Sequence, residues 1–133
     1  MLAVRIFLGL SALIWAPYAV QLLIDPVALT EAANVAATSA TGTAELRAMY
    51  GGLQLALGLL ALAGALRPRL AKYALAALGT VCAGLGVTRL GAAAVGDAFS
   101  SYTVTALSLE FVTLAGVLIL WRRAQRATPS VAP

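Results

Sequence analysis

Residues 53–82 read LQLALGLLALAGALRPRLAKYALAALGTVC. From Leu53 to Leu66 the only polar side chain is Gln54. Arg67-Pro68-Arg69 then breaks the run, with Lys72 close behind, and the apolar character resumes. Proline suits the first turn of a helix, where its missing N–H is not needed. The segment therefore predicts two apolar helices joined by a very short turn, which makes them antiparallel neighbours. The cations gathered on that turn belong on the cytoplasmic side of a bilayer.

Beyond this segment, the same test applies to the whole chain: a bilayer core needs about 20 apolar residues per helix. Four stretches qualify: Val4–Ile24, Leu46–Leu66, Leu70–Ala94 and Tyr102–Trp121. The predicted fold is all-α, an integral membrane four-helix bundle occupying residues 1–127 as one domain, with a disordered tail at 128–133. The third span is long enough to tilt or to project beyond the lipid. The first is expected to be a true span rather than a signal peptide. Its apolar region runs about 19 residues, against roughly 7–15 for a signal sequence, and no small-residue cleavage site follows.

Composition agrees. Hydrophobic residues make up 62% of the chain and charged residues 11%, against about 45–50% and 25% in soluble domains. Too few polar groups exist to cover a water-facing surface. The net charge of +4 comes from short basic segments beside apolar spans. No basic patch interleaved with aromatics exists, so nucleic acid is not an expected partner. With no histidine and a single cysteine, Cys82, a zinc site, an axial haem histidine and a His-based catalytic triad fall away. No metal and no cofactor are expected.

Four spans place Arg5, Arg67, Arg69, Lys72, Arg122, Arg123 and Arg126 at one end. Asp25, Glu31, Glu45, Asp97 and Glu110 fall towards the other. The expected topology is multi-pass in the cell (inner) membrane, with both termini cytoplasmic. Asp25–Ala44 is then the long outer loop. Asp25-Pro26 reads as the cap of a short interfacial helix within Val27–Ala37, and Thr43 as a cap for the second span.

Each span carries a stripe of small and polar residues at helical spacing. Ser11, Trp15, Tyr18 and Asp25 line up in the first, and Arg47, Tyr50, Gln54 and Ala61 in the second. Gly79, Cys82, Gly86, Arg89 and Ala93 do so in the third, and Thr103, Ala106, Glu110, Thr113 and Val117 in the fourth. Small residues let membrane helices approach closely, and hydroxyls bond across the contact. Gly51, Gly52, Gly58, Gly79, Gly84, Gly86, Gly116, Ser11 and Thr113 are read as packing positions. Ionised groups are different: one near the bilayer centre costs about 2.5–3.5 kcal/mol. By depth, Arg89 reaches Glu110, predicting an interior ion pair completed by Arg47, Tyr50 and Gln54.

The run Ala40-Thr-Gly-Thr-Ala-Glu-Leu-Arg-Ala-Met-Tyr-Gly-Gly-Leu-Gln-Leu-Ala-Leu-Gly58 resembles the signature of the bacterial domain of unknown function 4345 family. That family comprises uncharacterised four-helix membrane proteins similar in layout to the DoxX-like group. Asp25-Pro26, Arg89 and Glu110 match as well. The resemblance implies the four-helix fold and no established activity. DoxX-like relatives are linked to quinone-coupled sulfur metabolism and redox stress, but Cys82 has no resolving partner for such exchange.

Three functions compete on these residues. The first is a binding module, in which Arg47, Tyr50, Gln54, Arg89 and Glu110 hold a lipophilic ligand or a partner membrane protein. The second is an intramembrane enzyme with Glu110 as catalytic base in isomerisation, cyclisation or epoxide opening of a lipid-like substrate. The third is a small transporter, which the apolar inner halves of the spans disfavour. Oligomeric state stays open.

Overall fold

A computed structural model describes residues 2–126; the expected tail at 128–133 lies outside them. Five helices follow in order, with no strand among the described residues: α1 (Leu2–Ile24), α2 (Ala28–Ala33), α3 (Ala40–Leu66), α4 (Pro68–Gly96) and α5 (Ser101–Arg126). All but α2 are long and apolar enough to cross a membrane. Mean hydropathies of 1.6 to 2.0 over their best windows support that reading. At 29 residues, α4 is about 44 Å long, against a hydrocarbon core of about 30 Å.

The ends of these helices follow from local chemistry. Ser39 caps α3, its hydroxyl accepting from the Gly42 N–H at 3.0 Å. The expected Thr43 cap is thus corrected: Thr43 lies inside the helix and donates to the Ser39 carbonyl. Glu45 is exposed and beyond the first turn. Asp25 is an Asx-turn acceptor for the Val27 N–H at 3.0 Å rather than the cap residue of α2. That helix is shorter than the expected segment because Asn34 turns left-handed at φ 56° and ends it. Asp97 likewise closes α4 at φ 47°. Proline at the start of α4 and the single-residue break at Arg67 make the predicted tight hairpin.

Packing runs around the bundle, α1 on α3, α3 on α4 and α4 on α5. The core is Leu8, Trp15, Leu57, Ala61, Ala74, Leu78, Cys82 and their neighbours. Large aliphatic side chains face outward instead, among them Leu13, Leu66, Val87 and Val112. Lipid tails are as apolar as leucine, so close van der Waals contact holds the helices together. Gly58 allows the closest approach: a Cβ there would lie 2.9 Å from the Ala16 backbone nitrogen. Gly64 meets Ala74 and Leu8, and Gly79 meets Val117, in the same way. Gly84 corrects the packing expectation, since no atom would lie within 4 Å of its Cβ. It faces outward. Gly52 meets only the Arg47 carbonyl of its own helix. Ser11 differs too, donating to the Phe7 carbonyl one turn back at 2.9 Å instead of bonding across helices.

One end of the bundle gathers Arg5, Arg67, Arg69, Lys72, Arg122 and Arg123, all exposed. Arg5 has a second task there. Its Nε donates to the Ala65 carbonyl at 2.7 Å, satisfying an end group of α3. At the other end α2 tucks Leu29, 1% exposed, against the bundle.

Gly58→Val forces α1 and α3 apart and is expected to destabilise by about 1–3 kcal/mol. Gly84→Ala, on an open helical face, is expected to stabilise by up to about 1 kcal/mol. Unfolding in detergent, followed by circular dichroism, checks both.

Candidate functional site

Arg89 stands seven residues from the Gly96 end of α4, and Glu110 nine from the Ser101 start of α5. At 1.5 Å per residue both lie roughly 10–14 Å below the same end of the bundle. Gly86, one turn from Arg89, lets the two helices close up. A Cβ there would be 3.3 Å from the Phe111 ring and 3.6 Å from the Glu110 Cβ.

The ion pair follows. Arg89 Nε donates to Glu110 Oε1 at 3.1 Å and Oε2 at 3.3 Å, and Nη2 donates to Oε1 at 2.9 Å. The Glu110 side chain is 4% exposed and that of Arg89 is 26% exposed. The carboxylate therefore sits inside, and the guanidinium spans from it to the surface. This is the one ion pair among the described residues.

Tyrosines complete the surroundings. The Arg89 Cζ lies 5.8 Å from the centre of the Tyr102 ring, within cation–π range. Tyr18 of α1 neighbours Tyr102, Tyr50 and Arg89, and Arg89 feels Tyr50 and Tyr102 as well as Glu110. All three rings are half-buried. Every long helix thus contributes to one cluster. Tyr18 and Tyr102 are absent from the site residues that the sequence suggests. Their places in the polar stripe of the first span and at the outer edge of the fourth were the available signal.

Gln54 shares the inward stripe of Leu57, Ala61 and Ala65. Its Oε1 is buried and has no hydrogen-bond partner among the described residues. Arg47 is not brought in: it is exposed and makes no ion pair among the described residues. The reason is local. Residues Arg47–Gly52 form a π turn, and the Leu53 N–H bonds to the Ala48 carbonyl five residues back. One extra residue in the turn rotates the helix before it by about 100° relative to the helix after it. The seven-residue spacing from Arg47 to Gln54 no longer puts them on one face. Tyr50, within the turn, still neighbours the pair.

Cys82 is buried and unbonded, beside Thr113 and Glu110. No group of three metal-ligating side chains occurs among the described residues. Two apolar grooves flank α1. One of about 570 Å³ is lined by Ala12, Pro17, Gln21, Gly58 and Leu62 among others. One of about 380 Å³ lies between α1 and α5 at Phe7 and Gly116. Neither contains Arg89 or Glu110. Both grooves are lined almost wholly by apolar side chains and stand apart from the ion pair.

A family model described as a domain of unknown function, DUF4345, matches residues 3–122. The chain belongs to that family. No curated protein and no solved structure matches it. The DUF4345 match takes in Tyr18, Tyr50, Gln54, Arg89, Tyr102 and Glu110 together. The family description names no activity, so the cluster itself is the guide to function.

Removing Arg89 leaves a buried carboxylate without its cation. Arg89→Leu is expected to destabilise by about 3–5 kcal/mol, while the double change Arg89→Leu with Glu110→Leu restores most of the loss. Denaturant unfolding of both variants in detergent checks this.

Proposed function

We propose that this protein is a small membrane-resident binding module whose polar cluster receives the head of a lipophilic molecule. The observation that carries the reading is the meeting of Arg89, Tyr18, Tyr50 and Tyr102, all partly exposed, around a buried carboxylate. Intramembrane ionisable groups are functional-site candidates by default. Binding sites commonly set a few convergent polar groups in apolar walls. Here the helices surrounding the cluster supply those walls. A partner membrane protein presenting a polar side chain at that depth would use the same groups.

The enzyme reading is weaker on this geometry. Both Glu110 oxygens are occupied by Arg89, and the side chain is 4% exposed. A general base needs a free oxygen within hydrogen-bond reach of the substrate proton. Transport has less support still. Below the cluster the core is Val4, Leu8, Ala61, Ala65, Ala71, Ala74, Leu75, Leu78 and Val117, with no polar path among them.

The proposed setting is the inner cell membrane with both termini cytoplasmic. The all-basic end supports it through the positive-inside rule. Tyr73 and Trp121 beside that end fit the aromatic belt of an interface. The cluster then lies in the outer leaflet.

Native mass spectrometry of the protein released from mild detergent tests the reading. An amphiphilic molecule is expected to co-purify with the wild type. It is expected to be lost from the folded Arg89→Leu/Glu110→Leu double variant. A wild type that carries nothing, or a double variant that keeps the molecule, removes the proposal.

A further inference from the structure

The basic end of the bundle carries cations that no acid of the chain answers. Arg67, Arg69, Lys72, Arg122 and Arg123 are exposed there, and none forms an ion pair among the described residues. Asp25, Glu31, Glu45 and Asp97 lie at the other end, and Glu110 is already paired. Arg5 is partly committed, its Nε held by the Ala65 carbonyl.

The same end holds the open seam of the bundle. Packing runs from α1 to α3, α4 and α5, but α5 returns to α1 only loosely. The gap is the groove of about 380 Å³, lined by Ala3, Phe7 and Leu10 of α1 and by Gly116, Ile119 and Leu120 of α5 among others. Phe7 lies across Gly116, where a Cβ would come 2.5 Å from its ring, and forms the floor. Leu10 and Ile119, each more than half exposed, form the rims.

Towards the basic end, the α5 wall of this groove continues to Arg123. That residue is three positions beyond Leu120, four beyond Ile119 and seven beyond Gly116. Residues so spaced share one helix face, with Cβ atoms of neighbours about 5–6 Å apart. Helix side chains lean back over the turn before their own Cα, which for Arg123 is the mouth of the groove. Arg122, one position back, is turned about 100° away.

An apolar trough that ends at an unpaired guanidinium suits an acyl chain joined to a phosphodiester. Arginine recognises phosphate through paired N–H donors, and basic pockets between membrane helices take anionic lipid head groups. A zwitterionic phospholipid brings an ammonium group into the same cationic field and loses much of that attraction. A second copy of the chain is disfavoured on the same ground. Inserted in the same direction, it sets its own basic end level with this one, cation against cation.

We propose that the α1–α5 groove is a site for an anionic phospholipid, with the phosphodiester at Arg123 and an acyl chain laid along Phe7 and Gly116. It lies at the opposite end of the bundle from the Arg89–Glu110 pair and does not depend on the role of that pair.

Delipidated protein in mild detergent is titrated with an equimolar mixture of dioleoylphosphatidylglycerol and dioleoylphosphatidylcholine, and bound lipid is read by native mass spectrometry. Phosphatidylglycerol is expected to be preferred by at least about tenfold. Arg123→Gln is expected to lower that preference by about fivefold, the factor one arginine is worth beside anionic lipid. Arg69→Gln removes the same charge on the α3–α4 hairpin, away from the groove, and is expected to change the preference by less than about twofold. Ala3→Phe fills the trough from an exposed position and is expected to weaken phosphatidylglycerol by at least about fivefold. Should Ala3→Phe fail to fold, the comparison of Arg123→Gln with Arg69→Gln decides alone. No preference for phosphatidylglycerol, or equal losses in the two arginine variants, overturns the proposal. A dimer that Ala3→Phe dissociates overturns it in favour of a second copy. The Arg89→Leu/Glu110→Leu variant is expected to keep the preference; its loss there places the lipid at the other end and overturns the proposal as well.

Discussion

An ionised carboxylate in hydrocarbon has to be met by a cation, and in this chain that requirement governs the half of the bundle nearer α2. Glu110 is almost wholly enclosed, so the α4–α5 hairpin must set a guanidinium at its level. The short link at residues 97–100 brings both helices to the same end, and Gly86 removes the bulk that would hold them apart. Depth, register and separation are then all constrained by one pair. Such a pair is weak evidence for stability, since an apolar replacement can be as stable.

The rest of the bundle is arranged by contact distance. Alanine and glycine share the surfaces between helices with Leu8, Trp15, Leu57, Leu75 and Leu78, while many other leucine, isoleucine and valine side chains face out. In lipid, exposure of aliphatic surface costs nothing, and backbone-to-backbone proximity is the available source of attraction. The half at the basic end becomes an apolar plug, and the half at the α2 end holds the polar cluster.

Arg89 keeps N–H donors on a nitrogen that Glu110 does not use, and separately the buried Gln54 Oε1 has no hydrogen-bond partner among the described residues.

The element types, the number of apolar helices and the Arg89–Glu110 pairing were legible in the sequence. Each rests on a rule in which one effect outweighs the others: span length against bilayer thickness, or the cost of a lone charge in hydrocarbon. The convergence of Tyr18, Tyr50 and Tyr102 from three helices came from the packing of the whole bundle, because nothing in one span states its rotation about its own axis relative to the next. The fate of Arg47 was hidden for a related reason. A π turn at Arg47–Gly52 adds one residue to the helix without changing its hydrophobic pattern, and that rotates the arginine out of the face its spacing implies. Gly84 shows the same limit. A glycine in a membrane helix signals room for close approach, but whether another helix takes that room depends on how all the helices settle against one another.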